Sequence, residues 1–574
     1  MSAPLSPLQF FRRAADVYGD RPAVIDGAER YTYATFAERC LGLAAGLREA
    51  GLEPGDRAAV LAPNTHRALE CYTAVPLAGG VLVPLNTRLS ADDYRYIAGH
   101  AGCRVLLADP AFEDVARGLR DEHGVRVVML AGSSGAPDAP GACVEDLIAG
   151  ARAGWSGRLL DAIDAIDENA PISINYTSGT SGHSKGVIMT HRMTALNVLD
   201  VLVHARLGGD DVYLHTLPMF HVNGWGGVWA VAAAGARHVC LPRVDPPAIV
   251  RLIDAEAVTV AFAAPTVLVM LGGDPSTRGW RSQQRVRWYV GGAPPPAALI
   301  KRCEEELGFE IVHVYGLTET GPWLTVCEWR KAWDDRPLAE RAAIKARQGI
   351  GQIAAGRVRV AREDLTEVAR DGAEIGEIVV RGPTVTPGYY RDPDATAAAT
   401  AGGWFHTGDL AVVHPDGYAQ IVDRKKDLII SGGENISSVE VEGVLYQHPA
   451  VLEAAVVAAP DPVWGEVPRA CVVLRPGARA TPDELIAFCR ERLAHFKAPK
   501  IVELVDALPK TATGKIQKYL LRAVRPWACG AGQGCQDGAA YSAPEAVRPR
   551  PEVAGPAANA RRPTSDRRGT DAPT

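Results

Sequence analysis

Thr177, Ser178, Thr180, Ser181 and Lys185 lie in one run, YTSGTSGHSKGV at 176–187, together with Gly179, Gly182 and Gly186. Hydroxyls, closely approachable backbone amides and one ammonium are the groups that cradle a phosphate. The wider segment ISINYTSGTSGHSKGVIMTH reads as strand, loop, then helix, which puts the run at the carboxyl end of a strand, where open α/β sheets bind ligands. A P-loop of the GxxxxGK[ST] type needs glycine before the lysine and Ser or Thr after it. Here Ser184 and Gly186 hold those places, so a P-loop kinase or GTPase is excluded. The residues alone leave two readings, an anion cradle and a flexible Ser/Gly connector.

Other chemistry-bearing residues are spread along the chain. Glu319 in YGLTET (315–320) by itself reads as a solvated loop acid. Asp409 in WFHTGDL (404–410) can accept two donors at once, or it is an ordinary turn residue. His221 stands in PMFHVNGW (218–225), and GGAPPP occupies 291–296. DRKKDLIISGGENISSVEVE (423–442) combines three consecutive cations with a glycine pair, and Lys515 lies in PKTATGKIQK (509–518), where by itself it reads as an exposed surface lysine.

In this order, over residues 10 to 525, the seven segments resemble the adenylate-forming superfamily of acyl-CoA synthetases, luciferases and peptide-synthetase adenylation domains. They are most similar to the acyl-activating enzymes for short-chain, medium-chain or aromatic acids, which CEWRKAWDDRPLAERAAIKARQGI (327–350) also resembles. The resemblance implies an AMP-forming acid–CoA ligase. A carboxylic acid attacks the α-phosphate of ATP, pyrophosphate leaves, and the CoA thiol then takes the acyl group from acyl-AMP. ATP, Mg²⁺ and coenzyme A are the implied cofactors. The alternatives are an adenylating enzyme that loads an acyl carrier protein or uses another oxyacid or acceptor, and a catalytically silent nucleotide-binding protein.

Roles follow from the resemblance residue by residue. The catalytic set is Lys515, Thr177, Glu319 and His221, with Lys515 reaching the α-phosphate and the acid carboxylate. ATP or AMP is held by Thr177, Ser178, Gly179, Thr180, Ser181, Gly182, Lys185, Gly292, Ala293, Pro294, Tyr315, Gly316, Thr318, Asp409, Arg424 and Lys515. Within that set Tyr315 stacks on adenine, Asp409 accepts from the ribose hydroxyls, and Glu319 with Thr318 holds the metal and phosphate oxygens. His221, Asn223, Trp225, Gly291 and Gly321 line the acid; Gly432, Gly433, Glu434, Phe496 and Lys500 meet CoA; Lys426 is the hinge. Two departures from the family pattern stand out. Ser184 replaces the usual proline of the phosphate loop, and Gly321, Pro322 and Trp323 follow TET where relatives often have a larger residue before Gly-Pro.

The elements that must position these residues are legible as short apolar runs separated by alanine-rich stretches: 58–63, 81–85, 104–109, 125–130, 258–265 and 285–292. Such runs predict parallel strands covered on both faces, an α/β class. Closely spaced strands with Gly and Pro turns from about residue 350 predict a meander or small β-barrel. The expected architecture is a large N-terminal domain of parallel α/β sheets plus the barrel over 1–423, a hinge at 424–426, a smaller mobile α+β C-terminal domain over 427–525, and a disordered tail over 526–574.

Composition bounds the rest. With 47% hydrophobic residues, 22% charged residues and a net charge of −6, the chain is globular and has no basic excess for nucleic acid. Eleven cysteines without a CxxC pair predict reduced thiols, no disulfide framework and no structural zinc. The N-terminal stretch lacks a signal-type apolar region, and Val228 to Ala236 falls short of the roughly 20 residues that span a bilayer. A soluble, cytoplasmic monomer or homodimer is expected.

Overall fold

The computed structural model of the protein describes residues 3–131, 141–152, 154–177, 184–511 and 516–523. Two sheets dominate. The first has seven strands, in the order Ala142–Cys143, Arg126–Met129, Cys103–Ala108, Arg57–Leu61, Val81–Pro84, Pro171–Thr177 and Lys185–Thr190, parallel except for the last pair. The second has nine, with a parallel centre formed by Glu310–Tyr315, Arg287–Val290, Val260–Ala263, Val212–Leu214, Arg237–Val239 and Pro22–Asp26.

Alternate residues of these strands enter different cores. Ala58, Val60, Leu82 and Leu107 of the first sheet share one cluster with Val260, Phe262 and Tyr289 of the second. Their neighbours face outward: Ala59, Leu61, Val83 and Leu106 to one outer cluster, and Ala261, Ala263, Trp288 and Val290 to another. Both faces are therefore buried, which is why these strands read as continuous apolar runs. The helices Tyr33–Glu49, His66–Leu77 and His191–His204 add residues to the shared core. Each begins at a threonine (Thr32, Thr65, Thr190) whose hydroxyl accepts a first-turn amide.

The segment over 172–191 departs from the expected strand, loop and helix. Lys185–Thr190 is a strand, antiparallel to Pro171–Thr177 with Thr177 opposite Lys185, and the helix starts only at His191. Val187 and Met189 bury their side chains against the sheet, and the loop joins two strands of a hairpin.

The expected barrel is a four-stranded antiparallel sheet, Arg357–Ala361, Gly376–Arg381, Phe405–Val413 and Ala419–Arg424. A bridge between Gly349 and Ala419 ties its last strand to the edge of the nine-stranded sheet. It closes over Leu324, Val360, Ile378, Val380 and Phe405. Beyond it, Ile429–Ser431, Glu434–Ile436, Val451–Asp461, Gly465–Leu474 and Ile501–Leu504 form a five-stranded sheet. The helices Ser438–Leu445 and Pro482–Arg490 pack on it through Val441, Leu445, Leu485 and Cys489. The chain is thus mixed α/β with large parallel sheets and a smaller α+β unit. No helix among the described residues is long and apolar enough to cross a membrane. The predicted tail over 526–574 lies outside the described residues.

Candidate active site

Glu319 sits in the tight turn Thr318–Thr320 that follows the strand Glu310–Tyr315. Its Oε1 accepts from the Tyr389 hydroxyl at 3.0 Å. Burial pushes the Glu319 carboxyl above the usual carboxylate range; its own backbone amide, the Tyr389 hydrogen bond and the charges of Arg424 and Lys185 pull it back in part. Tyr389 belongs to a loop laid along the strand Lys185–Thr190: Tyr390 N donates to Gly186 O at 2.7 Å and Ile188 N to Gly388 O at 3.2 Å. The same loop reaches the Thr318–Thr320 turn, where Thr386 N donates to Glu319 O at 2.7 Å. The Lys185 ammonium lies 5.1 Å from the centre of the Tyr389 ring, within cation–π range.

Asp409 and Arg424 face each other across neighbouring antiparallel strands. Arg424 Nε is 3.0 Å from Asp409 Oδ1, and the Tyr315 hydroxyl donates to Oδ2 at 2.7 Å. Asp409 is 3% exposed, so its charge acts through little intervening solvent. Burial and the neighbouring Asp409 carboxylate raise the Tyr315 phenol far above its ordinary value, so it stays a donor. Tyr315, expected to stack on adenine, uses its hydroxyl to orient the Asp409 carboxylate.

Gly291 and Gly292 pack against Trp225. The indole is nearly buried, and a Cβ built on Gly291 would lie 3.2 Å from its ring and 2.5 Å from Val314 O. Gly292, at φ +80°, would place a Cβ 3.4 Å from the same ring. Only glycine leaves that space open. Trp225 is held by a run of left-handed backbone: Val222 at φ 40°, Asn223 at φ 48°, Gly224 at φ 56°, Trp225 at φ 48° and Gly226 at φ 81°. His221 caps this run, half-buried.

The remaining residues stand apart. Gly432, Gly433, Glu434, Phe496 and Lys500 lie on the smaller unit, and no described contact joins them to Glu319 or Asp409. Trp464 O accepts from Gly432 N at 2.8 Å, and Phe496 is 40% exposed. Lys426 lies in a tight turn in which Leu428 N donates to Arg424 O at 3.0 Å. Partial desolvation and the guanidiniums of Arg424 and Arg522 lower its ammonium below the ordinary lysine value. Ser178, Gly179, Thr180, Ser181, Gly182 and Lys515 lie outside the described residues. Sequence reasoning missed Tyr389: GYY at 388–390 carries no chemical signature, and only the loop's path along the Lys185 strand exposes its position.

Two family models match: AMP-binding enzyme over residues 11–390 and AMP-binding enzyme C-terminal domain over residues 440–515. The chain is 42% identical over 528 residues to 4-hydroxybutyrate–CoA ligase 2 of Metallosphaera sedula, covering 90% of this chain and 94% of that protein. It is 41% identical over 545 residues to the peroxisomal benzoate–CoA ligase of Arabidopsis thaliana, covering 91% and 93%. Among solved structures, ATP-bound MatB from Rhodopseudomonas palustris superposes with a TM-score of 0.77 at 31% identity, covering 90% of this chain and 98% of that one. With the carboxylate pair, the cation and the fold in place, these matches identify the chain as a member of the AMP-binding enzyme family.

Proposed function

We propose that the protein is an ATP-dependent acid–CoA ligase that forms acyl-AMP and pyrophosphate, then acyl-CoA and AMP. The observation that carries this reading is the convergence of Glu319 and Lys185 on Tyr389, with Arg424 both paired to Asp409 and acting on Glu319. One carboxylate is thus placed among cations while the other is oriented by Tyr315. The carboxylic acid class follows the family and its relatives, whose named acids range from hydroxylated aliphatic to aromatic.

In this reading Asp409 accepts from the ribose hydroxyls, since an ionised carboxylate has lone pairs left beyond those facing Tyr315 and Arg424. Thr177, Lys185 and the 178–182 segment bind the β- and γ-phosphates, with Gly292, Ala293, Pro294 and Gly316 along the base. The donor chemistry of Glu319 fits Mg²⁺, which is held through one or two carboxylates plus substrate phosphates. Among the described residues there is no cluster of three or more side chains that would cage an ion. When bound, Mg²⁺ supplies positive charge beside the leaving pyrophosphate. Thr318 and Glu319 position that end of the nucleotide, and Lys515 stabilises the charge that develops as the carboxylate attacks the α-phosphate. His221 and Trp225 bound the acid.

Thioester formation assigns Gly432, Gly433, Glu434, Phe496 and Lys500 to CoA. One site then serves two half-reactions, so the reading has the unit over 427–525 rotate about 424–426 relative to residues 1–423. The acceptor is free CoA; a carrier-protein phosphopantetheine is the competing one. We place the enzyme in the cytoplasm, where buried thiols such as Cys40, Cys71 and Cys240, which form no disulfide, stay reduced.

The test measures AMP and thioester together over a panel of linear and aromatic carboxylic acids, with CoA, with loaded carrier protein, and with neither. Carboxylate-dependent AMP and a CoA thioester are expected. No AMP with any acid would sink the ligase reading, and thioester only on the carrier protein would transfer it to the alternative.

A further inference from the structure

Three buried polar side chains beside the acid-side residues have atoms with no hydrogen-bond partner among the described residues. They are Asn197 Nδ2, Thr384 Oγ1, and both amide atoms of Asn223. Asn197 and Asn223 are each 1% exposed, and Thr384 is fully buried. They come from three separate places: the helix His191–His204, the loop after the strand Gly376–Arg381, and the left-handed run after His221.

Two glycines lie between these segments. A Cβ on Gly226 would lie 2.6 Å from Asn197 Oδ1, and one on Gly321 would lie 3.3 Å from Thr384 Cβ and 3.8 Å from Asn197 Cβ. Asn197 and Thr384 therefore flank Gly321, and Asn223 belongs to the left-handed run whose Gly226 abuts Asn197. Native interiors leave few buried amides and hydroxyls unpaired, because each forfeits its hydration. Here two of them flank one glycine, and the third stands on a run of left-handed backbone that reaches Asn197.

We infer that Asn197, Asn223 and Thr384 form the polar end of the acyl pocket, and that the acid activated carries a hydroxyl at the end remote from its carboxylate. This rests on the ligase reading and on Trp225 and Gly321 bordering that pocket. The three side chains offer amide donors, an amide acceptor and a hydroxyl, which match a group that donates and accepts at once. A second carboxylate fits poorly. Asp200, one helical turn beyond Asn197 and on the same face, is 2% exposed; its Oδ1 accepts from Ala354 N at 2.8 Å and its Oδ2 has no partner among the described residues, so a carboxyl oxygen without a donor already stands beside the polar end.

The experiment compares kcat/KM of the full-length enzyme for butyrate and 4-hydroxybutyrate, pentanoate and 5-hydroxypentanoate, benzoate and 4-hydroxybenzoate, and succinate, reading AMP and thioester. A site built around a hydroxyl rejects the analogue lacking it strongly. At least one hydroxylated acid should therefore exceed its parent by about tenfold or more, with succinate poorer than 4-hydroxybutyrate. In Thr384→Val and Asn197→Leu, checked for folding by thermal melting, that ratio should fall by about tenfold. Parents equal to or better than their hydroxylated partners throughout, as expected if the polar end holds only water, would overturn the inference and leave the ligase reading standing. An unchanged ratio in folded variants would do the same. If neither variant folds, the wild-type ratios decide. Absence of AMP with every acid would instead defeat the ligase reading.

Discussion

Tyr389 donates its hydroxyl to Glu319 Oε1 at 3.0 Å while its ring faces the Lys185 ammonium at 5.1 Å. One aromatic side chain thereby couples the proposed metal carboxylate to the cation of the phosphate loop. The coupling is electrostatic as well as geometric: burial raises the Glu319 carboxyl, and the Tyr389 hydrogen bond and Lys185 both lower it.

Tyr389→Phe keeps the ring and removes the donor. Glu319 then holds its proton to higher pH, so the acidic limb of the pH–rate profile should move upward at fixed Mg²⁺. Hydrogen bonds to charged groups contribute about 1.5–3 kcal/mol, which predicts a loss of roughly tenfold or more in kcat/KM for ATP below neutrality. Steady-state kinetics across pH and Mg²⁺ concentration check this; an unmoved acidic limb would refute the positioning role.

Asp409→Asn leaves Arg424 and Tyr315 without their shared anion. The ATP-dependent adenylation step should weaken through KM for ATP, by about tenfold or more for loss of a charge-assisted contact. Equilibrium binding of AMP to the variant gives the same quantity without turnover. Binding equal to wild type would remove Asp409 from the ribose site.

Lys515→Ala should abolish carboxylate-dependent pyrophosphate exchange and largely spare thioester formation from supplied acyl-adenylate. The two half-reactions are assayed separately. Normal exchange in this variant would remove Lys515 from adenylation.

Ser184→Pro restores the residue usual in the family's loop. Ser184 N donates no backbone hydrogen bond among the described residues. KM for ATP should therefore change by no more than about twofold, the range of substitutions away from core and network features. A large loss of ATP affinity would count against placing this loop at the phosphates.

Lys518→Ala tests the pairing of the 516–523 segment with Glu442. Lys518 Nζ lies 2.8 Å from Glu442 Oε1 and donates to Ser438 Oγ at 2.5 Å, while Arg522 pairs with Asp427. Burial raises the Glu442 carboxyl and Lys518 opposes that rise. Without the lysine, Glu442 is driven further up. The penalty is absent below the ordinary carboxylate range, where the group is protonated in both states, and it grows as pH rises through the folded value. Removing one partner of a buried pair costs about 3–5 kcal/mol; because both side chains are 15% exposed, a smaller loss of about 1–3 kcal/mol is expected at pH 8, and less at pH 5. Denaturant unfolding at the two pH values measures it, and equal losses would refute the assignment.

The α/β class was legible in the sequence because strands such as Arg57–Leu61 and Val260–Ala263 bury both faces and show it as unbroken apolar runs. The order and chemistry of the YTSGTSG, YGLTET and TGD segments were likewise local properties. Placement at 185–190 was not. A short stretch such as KGVIMT, with three apolar residues in a row, suits a helix start or a strand equally, and pairing with Pro171–Thr177 chose the strand. Tyr389 and Glu319 are 70 residues apart, and Asn197 and Thr384 are separated by still more. Their meeting depends on a loop laid along one strand and on the two glycines that let backbones approach. Side-chain chemistry is written residue by residue. Which groups share a desolvated space, and therefore which charges and hydrogen bonds act on one another, is decided only by packing.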